Sequence, residues 1–340
     1  MGFKYSVIIA VYNRLNEVGE LLESAEKLQF PRNKFEILFS DDGSTDGFRE
    51  YIENYKSLSG LNISSIYQEN KGPGAARNHG MENADGEYFI YVDSDCLFPP
   101  DWLEKIDNHV EEHKPDAFGG PDTCHPDFPP LLKAINYSMT SFIGTGGTRG
   151  SKKSVTKFYP RSFNMGISRR VYETAGGMGN LRHGQDMEFS GRIYRAGFKV
   201  DLIPDAFVYH KRRTSLKKFF KQIFNWGVAR INLGKDDKEM LKPVHFAPAV
   251  VVLWTFLSVL LAPFGKIFGK LFKLTLSAGV GVACFAWLES LKKYKSPKVS
   301  FLSVLTLFIQ VFAYGFGLFW GLFKSRKGKI AEGFTKKYYE

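Results

Sequence analysis

Residues 88–96 read YFIYVDSDC: an apolar, β-rich run that ends in two acids separated by one residue. Side chains alternate along a strand, so Asp93 and Asp95 aim to the same side. Two carboxylates on one side bind a hard divalent cation that can bridge a diphosphate. Upstream, the same arrangement recurs. SVIIAVYNR (6–14) opens with a strand over Tyr5–Ala10, FSDDGSTDG (39–47) ends a strand over Phe35–Phe39, and NKGPGAARNHG (70–80) follows a strand over Ile63–Tyr67. Apolar positions at helical spacing fall between these runs, over 16–28, 47–55 and 74–82. Strands alternating with helices of this length predict an α/β fold with a mostly parallel, Rossmann-like sheet and right-handed crossovers. In open sheets of this kind ligands sit at the carboxyl ends of the strands. The polar clusters Asn13, Asp41-Asp42, Asn70 and Asp93-Ser94-Asp95 each terminate a strand.

The chain has 340 residues, of which 44% are hydrophobic, 24% charged and 15% aromatic, a folded-protein composition that excludes a disordered or collagen-like chain. The net charge of +11 is unevenly placed. Residues 1–210 carry 23 Lys and Arg against 29 Asp and Glu, whereas residues 211–340 carry 23 against 6. That basic half is also Phe-rich and apolar, which predicts a soluble domain tethered to an anionic membrane surface and disfavours a nucleic-acid partner. Three scattered cysteines, Cys96, Cys124 and Cys284, form neither a disulfide framework nor a zinc pattern, and point to a reducing compartment. The N-terminus reads as a strand and not as a signal peptide, so the catalytic part is expected in the cytoplasm.

Between Pro121 and Pro160 no periodicity is evident, and the Gly/Thr/Arg cluster of Gly144–Gly150 with Lys152 and Lys153 reads as a lid or acceptor-side loop. Strands around 163–168 and 200–203 flank a helix starting near Gln185, and Val208-Tyr209-His210 follows. Basic residues then alternate with Phe219, Phe220, Phe224 and Trp226, an interfacial amphipathic helix over Thr214–Arg230. Three uncharged stretches come next, at 243–265, 274–288 and 299–323. The first and third are long enough to span a bilayer. The second, preceded by Lys266, Lys270 and Lys273 on one face, is expected to lie on the interface. A basic tail, 326–340, closes a chain divided as 1–230, 231–325 and 326–340.

The four strand-end motifs, in this order, resemble the family 2 glycosyltransferases, nucleotide-sugar enzymes of GT-A fold. The resemblance covers residues 4–230. It implies that Ala10, Val11, Tyr12 and Asn13 line a nucleoside pocket, and that Asp41 or Asp42 accepts a hydrogen bond from the base. Asn70, Gly74 and Arg77 then close over base, ribose and phosphates, with Asp93 and Ser94 beside the donor. Asp93, Asp95 and His210 hold Mg2+ or Mn2+ in this reading. The segment HGQDME (183–188) is similar to the family's "ED" segment, whose Asp is the general base of inverting members; Asp186 is that base here, Glu188 the reserve candidate. Gln185 stands where Glu is common. Gln222-Ile223-Phe224-Asn225-Trp226 resembles the QxxRW signature of processive synthases but carries Asn225 in place of Arg, which disfavours a processive enzyme. The reading implied is an inverting transferase that moves one sugar from a UDP- or GDP-sugar to a lipid-linked or membrane glycan acceptor. A polyprenyl-phosphate sugar synthase and a non-catalytic binding protein are the alternatives.

Overall fold

The structure is a computed structural model that describes residues 2–146, 157–211, 213–325 and 332–333. Residues 2–125 and 157–211 form one compact unit; 126–146 and 213–325 form another. The first unit begins with β1 (Tyr5–Val11), α1 (Leu15–Ala25), β2 (Phe35–Asp41), α2 (Phe48–Asn54), β3 (Ile63–Tyr67), α3 (Pro73–Glu82) and β4 (Tyr88–Val92). It continues with β5 (Cys96–Leu97), α4 (Trp102–His113), β6 (Ala117–Gly119) and β7 (Asp122–Thr123). The chain then contributes α5 (Pro130–Thr140) and α6 (Phe142–Thr145) to the second unit. It returns with β8 (Asn164–Ser168), α7 (Arg169–Ala175), α8 (Gln185–Arg195), β9 (Val200–Leu202) and β10 (Val208–His210).

The main sheet has the order β3-β2-β1-β4-β8-β6-β9. β1 pairs in parallel with β2 and β4, and β2 with β3, while β8 runs antiparallel to both neighbours. Period-two alternation decides which residues fill each side. Val7, Ile9, Ile37, Phe39, Ile90 and Val92 pack with Leu21, Leu22, Trp102 and Ile106 on one face. Ile8, Leu38, Phe89, Tyr91, Met165 and Ile167 pack with Met81, Phe189 and Ile193 on the other. Both faces are covered, so the strands read as unbroken apolar runs. Each fully buried Ile or Phe contributes about 1.5–3 kcal/mol. Helix α3 lies close on β1, since a Cβ at Gly80 would come within 2.4 Å of Ile8 Cγ2.

Register levels the strand ends: Val11 pairs with Asp41, and Asp41 with Tyr67. A second, three-stranded sheet of order β5-β10-β7 sets His210 opposite Cys96 and Val208 opposite Asp122.

The second unit adds α9 (Leu216–Asp236), α10 (Ala247–Leu261), α11 (Lys266–Tyr294) and α12 (Pro297–Lys324) to α5 and α6. Glycines bring α9 and α12 together: a Cβ at Gly317 would meet Phe224 O at 2.1 Å, and one at Gly227 would meet Tyr314 O at 2.3 Å. Helix α5 is tied to α12 by Thr306 Oγ1 donating to Ala134 O (3.0 Å), and Gln310 Nε2 donates to Ser138 O (2.9 Å) and Gly144 O (2.6 Å).

Among the described residues three helical segments are long and apolar enough to cross a membrane: Pro243–Phe264, Lys266–Tyr294 and Pro297–Lys324. The middle one departs from the expectation of a short interfacial stretch. Its helix runs through Lys266, Lys270 and Lys273 for 29 residues, because lysines on one face do not end a helix. The stretch 121–160 also differs from its irregular reading. It holds α5 and α6, and Ile135 and Met139 of α5 pack with residues of α9 and α12. The basic helix expected within the first domain belongs by packing to the second unit. Of the lid-loop residues, Gly144, Thr145 and Gly146 end α6, whereas Gly147, Thr148, Arg149, Gly150, Lys152 and Lys153 lie outside the described residues. So does the basic tail apart from residues 332–333.

Candidate active site

The carboxyl edge of the parallel strands is built from short loops that fasten to one another. At the end of β1, Asn13 takes the left-handed conformation (φ 52°), which Asn tolerates. Its amide donates to Ser44 Oγ (3.0 Å), and its side-chain oxygen accepts from Thr45 N (2.7 Å). Ala10 and Val11 precede it in β1, and Tyr12 follows the strand.

The two acids at the end of β2, Asp41 and Asp42, have different roles. Asp42 is fully buried and accepts from Gln68 Nε2 (2.6 Å), Lys71 N (2.9 Å) and Gly72 N (2.8 Å), so its charge is spent on shaping the loop that leads into α3. Asn70 lies in that loop against Gly43, where a Cβ would sit 3.2 Å from Asn70 N. Asp41 accepts from Ser44 N (2.8 Å), and Arg49 Nε approaches its other oxygen at 3.4 Å. The Arg49 guanidinium stacks 3.3 Å above the half-exposed Tyr67 ring. Neither Arg49 nor Tyr67 was singled out from the sequence. The usable signal was Tyr67 as the last residue of β3, level with Asp41.

Helix α3 starts with Pro73 at its first position, where the missing N–H costs nothing. Gly74 faces Gln185, and a Cβ there would lie 2.5 Å from Gln185 Nε2. Gln185 is buried and donates to Gly179 O (3.0 Å), so the position that departs from the usual Glu has packing and a hydrogen bond of its own. Arg77, expected at the phosphates, is buried and pairs with Asp93: Nη2 to Oδ1, 2.6 Å. The first acid of the Asp-Ser-Asp turn is thus held by α3.

The second acid is held by the small sheet. Asp95 Oδ1 lies 3.2 Å from His210 Nε2, and the other ring nitrogen, Nδ1, lies 3.1 Å from Asp122 Oδ2. The Asp122 side chain is fully buried. Ligating atoms of Asp95, Cys96 and His210 fall within 4.8 Å of one another. Burial pushes the Cys96 thiol well above its ordinary pKa, as do the nearby carboxylates of Asp95, Asp93 and Asp122. Its Sγ donates to Phe163 O at 3.8 Å. Two carboxylates at a strand end, with an imidazole beside one of them, make a donor set suited to Mg2+ or, with its nitrogen, Mn2+. Asp122 was missed in the sequence; its signal is an acid ending the Gly119-Gly120-Pro121 run directly after β6.

Asp186 sits in the first turn of α8, behind the left-handed Gly184. Glu188, in the same first turn, pairs with Arg192 through both oxygens (2.6 and 3.1 Å), and Arg192 also holds Ala175 O and Gly177 O. Glu188 is therefore engaged in joining α7, its following turn and α8.

A mostly parallel, Rossmann-like sheet with these motifs at its carboxyl edge, followed by three long apolar helices, defines a GT-A fold with a helical C-terminal part. The pattern described as glycosyl transferase family 2 matches residues 6–176, half of the chain, and the protein belongs to that family. The poly(ribitol-phosphate) beta-N-acetylglucosaminyltransferase TarS of Staphylococcus aureus is 35% identical over 114 residues, 34% of this chain and 20% of TarS. The match thus spans a fifth of that relative. A Methanococcus voltae protein, dolichyl N-acetyl-alpha-D-glucosaminyl phosphate 3-beta-D-2,3-diacetamido-2,3-dideoxy-beta-D-glucuronosyltransferase, is 26% identical over 284 residues, 77% of this chain and 78% of its own. The mannosyltransferase PcManGT of Pyrobaculum calidifontis, solved with GDP-Man and Mn2+, shares the fold with a TM-score of 0.58 at 16% identity, over 96% of this chain and 89% of its own.

Proposed function

We propose that the protein is an inverting glycosyltransferase that moves a single sugar from a UDP- or GDP-sugar to a lipid-linked or membrane glycan acceptor, at the cytoplasmic face of a membrane, in the assembly of surface polysaccharide or glycolipid. The observation that carries this reading is the convergence of Asp93 and Asp95, each fixed by a different element, at the edge where the nucleotide loops meet. The loop fastened by Asp42 and the turn after β1 bound the space for base and ribose, with Ala10, Val11, Tyr12, Asn13, Asp41 and Asn70 on its walls. Of the two acids, Asp41 is the one assigned to the base, since Asp42 is engaged by Gln68, Lys71 and Gly72 of its own loop.

Asp93, Asp95 and His210 would hold Mg2+ or Mn2+, and the cation supplies positive charge against the departing nucleoside diphosphate. The remaining chemistry belongs to the chain. Asp186 takes the proton from the acceptor hydroxyl as that oxygen attacks the anomeric carbon; the C–O bond to the diphosphate breaks, and the nucleoside diphosphate leaves with the bonding pair. Asp186 lies in the first turn of α8, where the positive end of the helix complements a negative side chain. The three apolar helices and the lysines of α9 suit an enzyme whose acceptor is embedded in an anionic bilayer. The Methanococcus voltae relative, named for a dolichyl-linked substrate, supports an acceptor of that class.

The test is sugar transfer by the full chain reconstituted in vesicles, screened over UDP- and GDP-sugars with Mn2+ and with polyprenyl-linked glycans. Release of nucleoside diphosphate from one donor, lost in both Asp95→Ala and Asp186→Asn, supports the proposal. Turnover that survives Asp186→Asn with polyprenyl phosphate as acceptor replaces it with a sugar-phosphate synthase, because a phosphate acceptor needs no base. Donor binding without turnover on any acceptor replaces it with a binding protein.

A further inference from the structure

The reading of Asp95 and His210 as cation ligands leaves Asp122 unused, yet a fully buried carboxylate is costly unless something engages it. What engages it is the imidazole. β7 runs beside β10, with Val208 N donating to Pro121 O (3.2 Å), and Gly120 permits this approach: a Cβ there would lie 1.9 Å from Ala206 O. The result is a line of three groups, Asp122 Oδ2, His210 Nδ1 and Nε2, then Asp95 Oδ1, with separations of 3.1 and 3.2 Å. The ring plane is further bounded by Phe163, whose centroid lies 5.3 Å from that of His210.

We propose that Asp122 is the positioning residue of the cation site: it accepts the Nδ1 proton of His210, and so fixes the tautomer whose Nε2 lone pair faces Asp95. A neutral imidazole has one N–H and one lone pair, and whichever nitrogen donates leaves the other free to ligate. A carboxylate can only accept, so a proton on Nδ1 satisfies the buried Asp122 and leaves Nε2 to share a cation with Asp95. The proposal rests on the metal-dependent reading above and goes beyond it by assigning the orientation of its nitrogen ligand to a residue outside the ligand set.

Asp122→Asn is the decisive variant, since its amide can donate to Nδ1 and drive the proton onto Nε2, the atom that must ligate. The full chain in detergent is titrated with Mn2+ alone, read by electron spin resonance, and the bound ion is examined for nitrogen hyperfine coupling. Expected for Asp122→Asn are a ten- to hundredfold weaker Mn2+ affinity, roughly the effect of losing such an outer partner, and loss of the nitrogen coupling, with a melting temperature near the parent's. Asp95→Asn should weaken Mn2+ but keep that coupling. Asp122→Asn binding Mn2+ within about twofold of the parent, nitrogen coupling intact, overturns the proposal while leaving the metal site standing. Absence of nitrogen coupling in the parent itself overturns the metal role of His210 and the proposal together.

Discussion

Arg77 Nη2 and Asp93 Oδ1 lie 2.6 Å apart, an ion pair that joins α3 to the end of β4. The Arg77 side chain is only 10% exposed, and its Nη1 reaches Pro73 O at 3.5 Å. The pair therefore orients the first acid of the Asp-Ser-Asp turn. Arg77→Met should leave Asp93 without this partner, lower unfolding stability by about 1–3 kcal/mol and weaken nucleoside diphosphate binding. Chemical denaturation and titration calorimetry with Mn2+ present read the two effects. Unchanged affinity would show that the pair is structural only.

Asp186 and Glu188 are separated by their engagements. Asp186→Asn should reduce turnover roughly 10²- to 10⁴-fold, the usual worth of a general base, with little change in melting temperature. Glu188→Gln should do the reverse, because the carboxylate clamps Arg192 against Ala175 and Gly177. Parallel melting curves and single-turnover rates separate the two. A catalytic loss confined to Glu188→Gln would transfer the role of base to Glu188.

Much of the first unit was legible because one physical rule, alternation of apolar strands with helical spacing, governs it throughout. β1, β2, β3 and β4 lie within two residues of their expected bounds, and each motif falls on the expected strand end. What the sequence hid was long-range. The ion pair of Asp93 with Arg77, 16 residues earlier, was not expected, and His210, 115 residues after Asp95, was placed beside it by the resemblance alone. Asp122 was missed because its partner is set by a parallel pairing between two very short strands. Helix α5 escaped notice because its apolar positions face helices more than 70 residues away, so no local pattern announces them.

Helix packing in the second unit depends on the absence of side chains. Gly317 and Gly227 put the backbones of α9 and α12 in contact, the arrangement small residues permit between apolar helices. Gly317→Leu has no flexible neighbour to displace, since the nearest atoms are the Phe224 carbonyl. It should cost about 3 kcal/mol or more by overpacking and lower the yield of monodisperse protein. Size-exclusion profiles and thermal melts in detergent measure this. Gly279→Leu, where a Cβ meets nothing within 4 Å, is the control expected to behave as the parent.

Acid sensitivity should be visible at Glu26. Burial alone would push its carboxyl up, but hydrogen bonds from Ser59, Ser57 and Tyr55 outweigh that and hold it at about 2, below the ordinary 4.5. Its oxygens accept from Tyr55 Oη (2.9 Å) and Ser59 N (2.8 Å), which closes the 55–59 turn. A depressed folded-state pKa stabilises above the unfolded value and stops doing so as pH falls through the folded one. Glu26→Gln should thus be less stable than the parent above about pH 5, with the gap closing between pH 4.5 and 2. Denaturation midpoints across that range test it; a gap independent of pH would mean that packing, not charge, is lost.

The bond from Thr306 to Ala134 spans 172 residues of chain. During synthesis at about 5–20 residues per second, α5 is therefore complete for roughly 10–30 s before its partner exists. Through that interval Ile135 and Met139, both buried in the finished fold, have no apolar surface of α12 to meet. Nascent protein halted before α12 should be the species that chaperones hold, and no single cut in the chain yields either compact unit whole.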